Sequence, residues 1–165
     1  MNRIVALGAI VLSLGIALPG AAVAQTATDL VGTWTNISNI NIRQDGTKVP
    51  LFGPKGTGMA IFESNGRYMI INVNPDVPKF VSNNRVQGTS AENKAAVEGS
   101  IAHYGTYTFD PASKVINLKI EGSSYPNWAV TNQKRTIISF AGDEIKWSHA
   151  NSIDGTSEVT WKRVK

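Results

Sequence analysis

After about residue 30 the chain alternates short apolar or β-branched segments with turn signals. In one segment Ile116, Leu118 and Ile120 alternate with polar residues, which is the period of a strand buried on one face. Asn65-Gly66 separates two such segments, and this dipeptide suits the positive φ angles of a tight hairpin turn. The pattern predicts an all-β protein built from consecutive hairpins.

Eight segments are predicted to be strands. They are residues 30–43, 58–63, 67–73, 104–110, 115–121, 134–140, 144–149 and 158–164. An open sheet of this size would leave two edges able to pair with other chains, and closure into a barrel removes both edges. We therefore predict a closed eight-stranded antiparallel barrel, with a β-sandwich as the alternative.

One helix is predicted among the strands. Thr89 and Glu92 match a capping box, in which each side chain satisfies a backbone N–H group of the other residue. The predicted helix runs from Ser90 to Ala102, between the third and fourth strands, and Gly99 weakens it. The stretches 49–58 and 74–88 contain proline or glycine and are predicted loops.

The N-terminus has the order of a secretory signal peptide. Arg3 precedes an apolar run over residues 4–18, and Ala22-Val23-Ala24 supplies a small-residue cleavage site. The run is shorter than the roughly 20 residues of a membrane-spanning helix. We expect cleavage after Ala24, which would leave 25–165 as one barrel domain without a membrane span, in the periplasm or secreted.

Charge and composition exclude several classes of site. The sequence contains no cysteine, so disulfides and thiolate metal sites are excluded. The formal charge of +4 comes from scattered basic residues, and no basic patch predicts a nucleic-acid partner. His103 and His149 are the only histidines, and neither belongs to a local metal-binding motif. No metal or cofactor is predicted, and the oligomeric state is left open.

The ordered motifs of the chain resemble a known family. Gly32-Thr33-Trp34 is similar to the glycine-x-tryptophan motif that opens the first strand of lipocalins, and Trp161-Lys162-Arg163 is similar to their basic last strand. Further short motifs resemble those of the bacterial lipocalin-like domain proteins: Phe52-Gly53-Pro54, Asn65-Gly66-Arg67, Pro75-Asp76-x-Pro78-Lys79-Phe80, Tyr104-Gly105-Thr106-Tyr107, Glu121-Gly122-Ser123 and Pro126-Asn127-Trp128. The resemblance implies a ligand-holding barrel closed at one end by Trp34, with Arg163 across its ring. The predicted helix lies elsewhere than in most lipocalins, so no ligand residues carry over.

Six residues are candidates for contact with a ligand. They are His103, Tyr104, Tyr107, Tyr125, Trp128 and Arg135. The first three lie on one strand, where alternate residues face opposite ways, so either face offers aromatic surface and hydroxyl groups. Pro126 places its neighbours at a barrel rim, because proline does not fit a central strand. Equally, the aromatic residues could be core or rim plugs, and a strand arginine usually faces solvent.

Three functions remain open at this point. The first is an exported barrel that binds a small hydrophobic or amphipathic molecule. The second is a barrel enzyme of the isomerase, cyclase or hydratase type, although no nucleophile motif or carboxylate pair identifies catalytic residues. The third is a filled barrel that acts through protein–protein contacts. Fold alone does not decide among them, and the absence of a catalytic motif favours binding.

Overall fold

A computed structural model describes residues 26–165 of the chain. The predicted signal peptide, residues 1–24, lies outside this range, so its cleavage and the export of the protein stay predictions. No helix within residues 26–165 is long and apolar enough to span a membrane.

The described chain consists mostly of strands. In order they are helix α1 (Ala27–Leu30), β1 (Gly32–Ile42), β2 (Lys48–Pro50), β3 (Thr57–Phe62), β4 (Arg67–Val73), helix α2 (Ser90–Glu98), β5 (Ser100–Asp110), β6 (Val115–Ser123), a 3₁₀ turn (Pro126–Trp128), β7 (Asn132–Ala141), β8 (Glu144–Ala150) and β9 (Thr156–Arg163).

Eight of these strands form a closed antiparallel barrel, as predicted. Each strand from β3 to β8 pairs with the next one along the chain, and β1 pairs with both β3 and β9. The three-residue strand β2 is an addition that pairs only with the far end of β1, where Ile40 faces Pro50. The prediction of a loop over residues 49–58 was therefore wrong for Val49 and Pro50.

Helix α2 begins where the capping box predicted. Thr89 Oγ1 accepts the Glu92 N–H at 3.2 Å, and Glu92 Oε2 accepts the Thr89 N–H at 2.7 Å. The helix ends at Glu98, so its predicted end at Ala102 was wrong. Residues 100–102 pair with β4 instead, because joining the barrel ladder satisfies their backbone groups. With β2 included in the numbering, α2 lies between the fourth and fifth strands, and the 3₁₀ turn lies between β6 and β7.

Helix α1 and the end of β9 cover one end of the barrel, here called the base. Trp34 is 1% exposed and donates its Nε1–H to the Leu30 carbonyl at 2.9 Å. The Arg163 guanidinium carbon lies 4.1 Å from the centre of the Trp34 ring, a cation–π distance. Arg163 also donates to the Val31 carbonyl at 2.6 Å and to the Asp29 carbonyl. These contacts tie the last strand to the chain that enters the first one.

The interior above the base is packed with aromatic and aliphatic side chains. The Phe62 ring meets Tyr107 edge-on at 5.0 Å and Trp147 edge-on at 6.3 Å between ring centres. Ile116 and Leu118, predicted to face inward by their spacing, are 0% and 1% exposed. Because this core fills the half of the barrel near Trp34, any space for a ligand lies toward the other end.

Candidate functional site

The end of the barrel opposite the base contains a cavity of about 650 Å³. Its walls come from several strands of the barrel, since Asn39 near the end of β1, Asn72 near the end of β4 and His149 near the end of β8 all line it. Cavities of roughly 300–1,000 Å³ are usual for small-molecule sites. The hypothesis of a filled barrel is therefore not supported by the interior of the described chain.

The deep part of the cavity is apolar and aromatic. Trp147 and Trp161 lie side by side on β8 and β9, with ring centres 5.5 Å apart and planes inclined by 35°. Both are 1% exposed, and Ile70 and Val159 line the same region. Buried aromatic surface of this kind favours an apolar ligand body.

A row of polar side chains runs along the inner face of four neighbouring strands, farther from the base than this aromatic floor. His149 on β8 pairs in register with Ser157 on β9, and Ser157 pairs with Asn41 on β1. Arg135 on β7 precedes a residue that pairs with Ser148, so it lies beside His149. The strand alternation thus places four polar side chains on the inner face at one level.

Arg135 is the buried cation of this row. It is 2% exposed, and its Nη2–H donates to Gln133 Oε1 at 2.8 Å while its Nη1–H donates to the Lys134 carbonyl at 3.2 Å. No carboxylate within residues 26–165 pairs with it. Burial lowers the pKa of the Arg135 guanidinium to about 10, which keeps it charged at neutral pH. The cavity therefore has a positively charged wall.

His103 on β5 lies close enough to Arg135 for the guanidinium charge to affect the pKa of its imidazole. The ring is 4% exposed, and its Nδ1 lies 3.0 Å from the Tyr68 hydroxyl. Burial, and then the Arg135 charge, lower the pKa of His103 to about 3. Burial likewise raises the pKa of Tyr68 above its usual value, so both groups are neutral at pH 7. His149 follows the same logic: burial, Arg135 and His103 lower its pKa well below the ordinary value.

The substitution Tyr68→Phe is expected to destabilise the protein by about 1–3 kcal/mol, because it leaves a buried imidazole nitrogen without its partner. Urea unfolding would measure the loss. Tyr104→Phe is the matched control, since Tyr104 lies on the same sheet but is 49% exposed, and its expected effect is within about 0.5 kcal/mol. Equal effects of the two substitutions would contradict a structural role for the Tyr68–His103 hydrogen bond.

The 3₁₀ turn places aromatic side chains at the mouth of the cavity. Pro126 starts the turn, and the Thr131 hydroxyl donates to the Trp128 carbonyl at 2.6 Å, which fixes its end. The Trp128 ring meets His103 edge-on at 5.6 Å and Tyr125 edge-on at 5.9 Å between centres. Both aromatic rings are half-buried, so one side of each is open to a ligand or to solvent.

Two further segments border the mouth. The last turn of α2 contributes Val97, which is 73% exposed, and the loop after β8 contributes Ile153, which is 72% exposed. Asn151 anchors that loop by donating from Nδ2 to Asn41 Oδ1 at 2.6 Å. The mouth is thus bordered by short segments attached to a continuous barrel wall.

Several lining residues have polar atoms that form no hydrogen bond with the described part of the chain. Within residues 26–165, Asn39 Oδ1, Asn72 Oδ1, His149 Nδ1 and Trp161 Nε1 are buried without a hydrogen-bond partner, and all four residues line the cavity. Buried polar atoms are nearly always paired in folded proteins. Both acceptors and a donor are therefore available to polar groups that enter the cavity.

Four of the six sequence-predicted candidates line the cavity: His103, Tyr125, Trp128 and Arg135. The other two lie outside it. Tyr104 is on the outer face of β5, where its ring covers Gly122, at which a Cβ atom would come within 2.6 Å of the ring. Tyr107 faces inward but lies lower, donating its hydroxyl to the Glu63 carbonyl at 3.0 Å. Tyr107 is thus a core residue beneath the cavity.

The polar residues that complete the site, Asn72 and His149 among them, were not among the candidates predicted from the sequence. Asn72 lies on β4 two residues after Ile70 and four after Tyr68, so these residues share the inner face. That spacing was a usable signal, because an asparagine on an otherwise apolar face is unusual in a core. His149 continues the inward alternation of Ile145 and Trp147 in the same way.

A closed antiparallel barrel with a covered base and an aromatic cavity that contains polar side chains is an architecture able to hold one small molecule. The sequence model of the lipocalin-like domain matches residues 31–164. The chain therefore belongs to the lipocalin-like domain family.

A curated relative points in the same direction. The chain is similar to the 4'-hydroxy-3'-methoxypropiophenone carrier protein of Aspergillus oryzae, with 31% identity over 102 residues, which cover 54% of this chain and 90% of that protein. Membership of the family and this carrier relative together suggest small-molecule binding.

The solved structures that the chain resembles include designed barrels. A redesigned β-barrel aligns with 88% of this chain and all of its own, at 15% identity and a TM-score of 0.44. Another redesigned β-barrel, bound to DFHBI, aligns with 84% of this chain and 98% of its own, at 18% identity and a TM-score of 0.41.

Proposed function

We propose that the protein carries a small amphipathic molecule with an aromatic or other apolar body, held in the barrel cavity. The observation that supports this most is the cavity itself, about 650 Å³ in volume. It combines a floor of paired tryptophans with buried polar groups at one level of the wall. An apolar body would bury against Trp147 and Trp161, and polar substituents would meet the unpaired polar atoms of Asn39, Asn72 and His149.

The named cargo of the Aspergillus relative supports an aromatic ligand. That protein's name specifies a phenol-bearing aromatic ketone. Such a molecule has one flat apolar body and polar groups at its periphery, which matches the arrangement of tryptophan rings and orphaned polar atoms here. The proposal therefore specifies a chemical class of ligand, an apolar body with polar groups at its periphery.

The enzyme hypothesis receives less support from the geometry. A general base works best when its pKa lies near the working pH, whereas the pKa of His103 is about 3. No carboxylate within residues 26–165 forms a hydrogen bond or ion pair with either histidine. The site is better suited to holding a molecule than to moving its protons.

Trp128→Ala is expected to weaken binding of an aromatic ligand about tenfold, or roughly 1.4 kcal/mol, because the ring at the mouth adds stacking contact. Isothermal titration calorimetry with 4'-hydroxy-3'-methoxypropiophenone and decanoate would measure the dissociation constants. Tyr104→Ala, which removes an aromatic ring from the outer face, is the matched control and is expected to leave them unchanged.

Two results would contradict the proposal. Native protein that binds neither probe, and that also carries no small molecule in native mass spectrometry after gentle purification from its host, would not be a carrier of this class. Equal weakening by Trp128→Ala and Tyr104→Ala would place the bound molecule outside the cavity.

A further inference from the structure

We propose that the ligand is bound as an anion, an amphipathic carboxylic acid whose carboxylate pairs with Arg135 inside the barrel. This inference rests on the proposed carrier function and narrows its ligand class. The neutral aromatic ketone in the name of the relative does not imply it. Three features of Arg135 support it: its unused donors, the charge of its surroundings, and its place in the wall.

The guanidinium has donors to spare. A guanidinium carries five N–H groups. Two are used, one by Gln133 Oε1 and one by the Lys134 carbonyl. Nε and both Nη atoms each keep one unused N–H, so a carboxylate could accept hydrogen bonds from the guanidinium, the group that arginine uses to bind carboxylates. The bonds to Gln133 and Lys134 hold the guanidinium still, so little side-chain freedom would be lost on binding.

Among residues 26–165, no carboxylate compensates the charge of Arg135. Glu98 lines the mouth, but its carboxylate is 66% exposed and faces Lys94 at 3.7 Å. Glu121 binds Arg67 at 2.8 Å on the outside of the barrel. The neighbouring groups of Arg135 in the wall are His149, His103 and Tyr68, none of them anionic at neutral pH.

An uncompensated cation in a buried wall selects among ligands by charge. A buried charge is costly unless it is paired and hydrogen-bonded. A carboxylate brings the missing partner, a neutral amide of the same shape brings only hydrogen bonds, and an ammonium group would be repelled. Arg135 lies beside the aromatic floor. A ligand whose carboxylate pairs with Arg135 would therefore place its apolar body against Trp147 and Trp161.

The test compares acids with amides of the same shape. Calorimetric titration of the whole protein at pH 7.5 uses two pairs of probes, ferulate with ferulamide and decanoate with decanamide. We expect at least one acid to bind ten or more times tighter than its amide. Arg135→Gln is expected to bring that ratio close to one, while Arg67→Gln, which removes an exposed arginine from the outer face, leaves it unchanged. Arg135→Lys keeps the charge without the fork and is expected to give an intermediate ratio.

The outcomes separate the two proposals. Amides that bind native protein as tightly as their acids would overturn the anion inference and leave the carrier function standing. Failure of all four probes to bind would count against both. Circular dichroism confirms that each variant is folded, and should Arg135→Gln fail to fold, the acid-to-amide ratio of the native protein still decides the question. A preference for acids that survives Arg135→Gln would overturn the assignment to Arg135.

Discussion

Acidification from about pH 7 to about pH 4 is expected to lower the free energy of unfolding by about 3 kcal/mol through His103 alone. His149 acts in the same direction. Since domains of this size are stable by only about 5–15 kcal/mol, the protein should be close to unfolding at the acid end of this range.

The sign follows from the direction of the pKa shifts. Burial and the nearby Arg135 charge lower the folded-state pKa of His103 from 6.5 to about 3. Between pH 6.5 and about pH 3, His103 is therefore protonated in the unfolded chain but not in the folded chain. The stability contributed by the neutral ring is therefore complete above pH 6.5 and is lost as the pH falls toward 3, by about 1.4 kcal/mol per pH unit.

Carboxylates act at lower pH and can be separated from this effect. Hydrogen bonds lower the pKa values of Asp110 and Glu92 below their ordinary values of 3.8 and 4.5. The stability that these two carboxylates contribute to the fold is therefore lost mainly below about pH 4.5. Guanidinium unfolding at a series of pH values between 4.5 and 7 isolates the histidines. His103→Gln is expected to flatten the dependence, and the double variant with His149→Gln should nearly abolish it. A dependence that both variants leave unchanged would show that other groups cause it.

Trp34→Ala is expected to destabilise the protein by about 3–5 kcal/mol, the usual cost of truncating a buried large aromatic residue. The loss has three parts: the packing of a ring that is 1% exposed, its hydrogen bond to Leu30, and the stacking surface of Arg163. Without the ring, helix α1 and the end of β9 lose their shared contact at the base. Urea unfolding at pH 7.5 would measure the effect.

Trp128→Ala is the matched control for this prediction, since it removes the same side chain from the other end of the barrel. Trp128 is half-buried at the mouth, so its loss should cost much less stability while weakening ligand binding. Trp34→Ala should do the reverse wherever the variant stays folded. If both substitutions cost the same stability, the base would not be the structural end of the barrel that the contacts of Trp34 indicate.

The regular strands could be predicted from sequence because their signals are local. The Asn65-Gly66 turn and the alternation at Ile116, Leu118 and Ile120 depend only on neighbouring residues, and the structure contains these hairpins. Strand β2 and the end of α2 could not be predicted in this way. Lys48–Pro50 becomes a strand only because the far end of β1 offers it a partner, and Ser100 leaves the helix because β4 does the same.

The site shows the same division between local and distant information. The order of residues on β5 fixed that His103 and Tyr107 share a face and that Tyr104 has the opposite one. It could not say which face points inward, because both carry aromatic residues. The sequence also did not show how deep in the barrel each side chain lies. The position of Tyr107 beneath the cavity follows from its hydrogen bond to the carbonyl of Glu63, which follows β3, two strands away. The surroundings of Arg135 are set by the closed barrel, so the sequence could not show that no carboxylate among residues 26–165 pairs with it.

The two tryptophans on the cavity floor make the protein its own optical reporter. Indole rings 5.5 Å apart are close enough for their electronic transitions to couple, and the coupling depends on the angle between them. A molecule that settles against Trp147 and Trp161 would change that coupling and the polarity around both rings. Near-ultraviolet circular dichroism and intrinsic emission should therefore follow loading and release in real time, without a dye and without altering the chain.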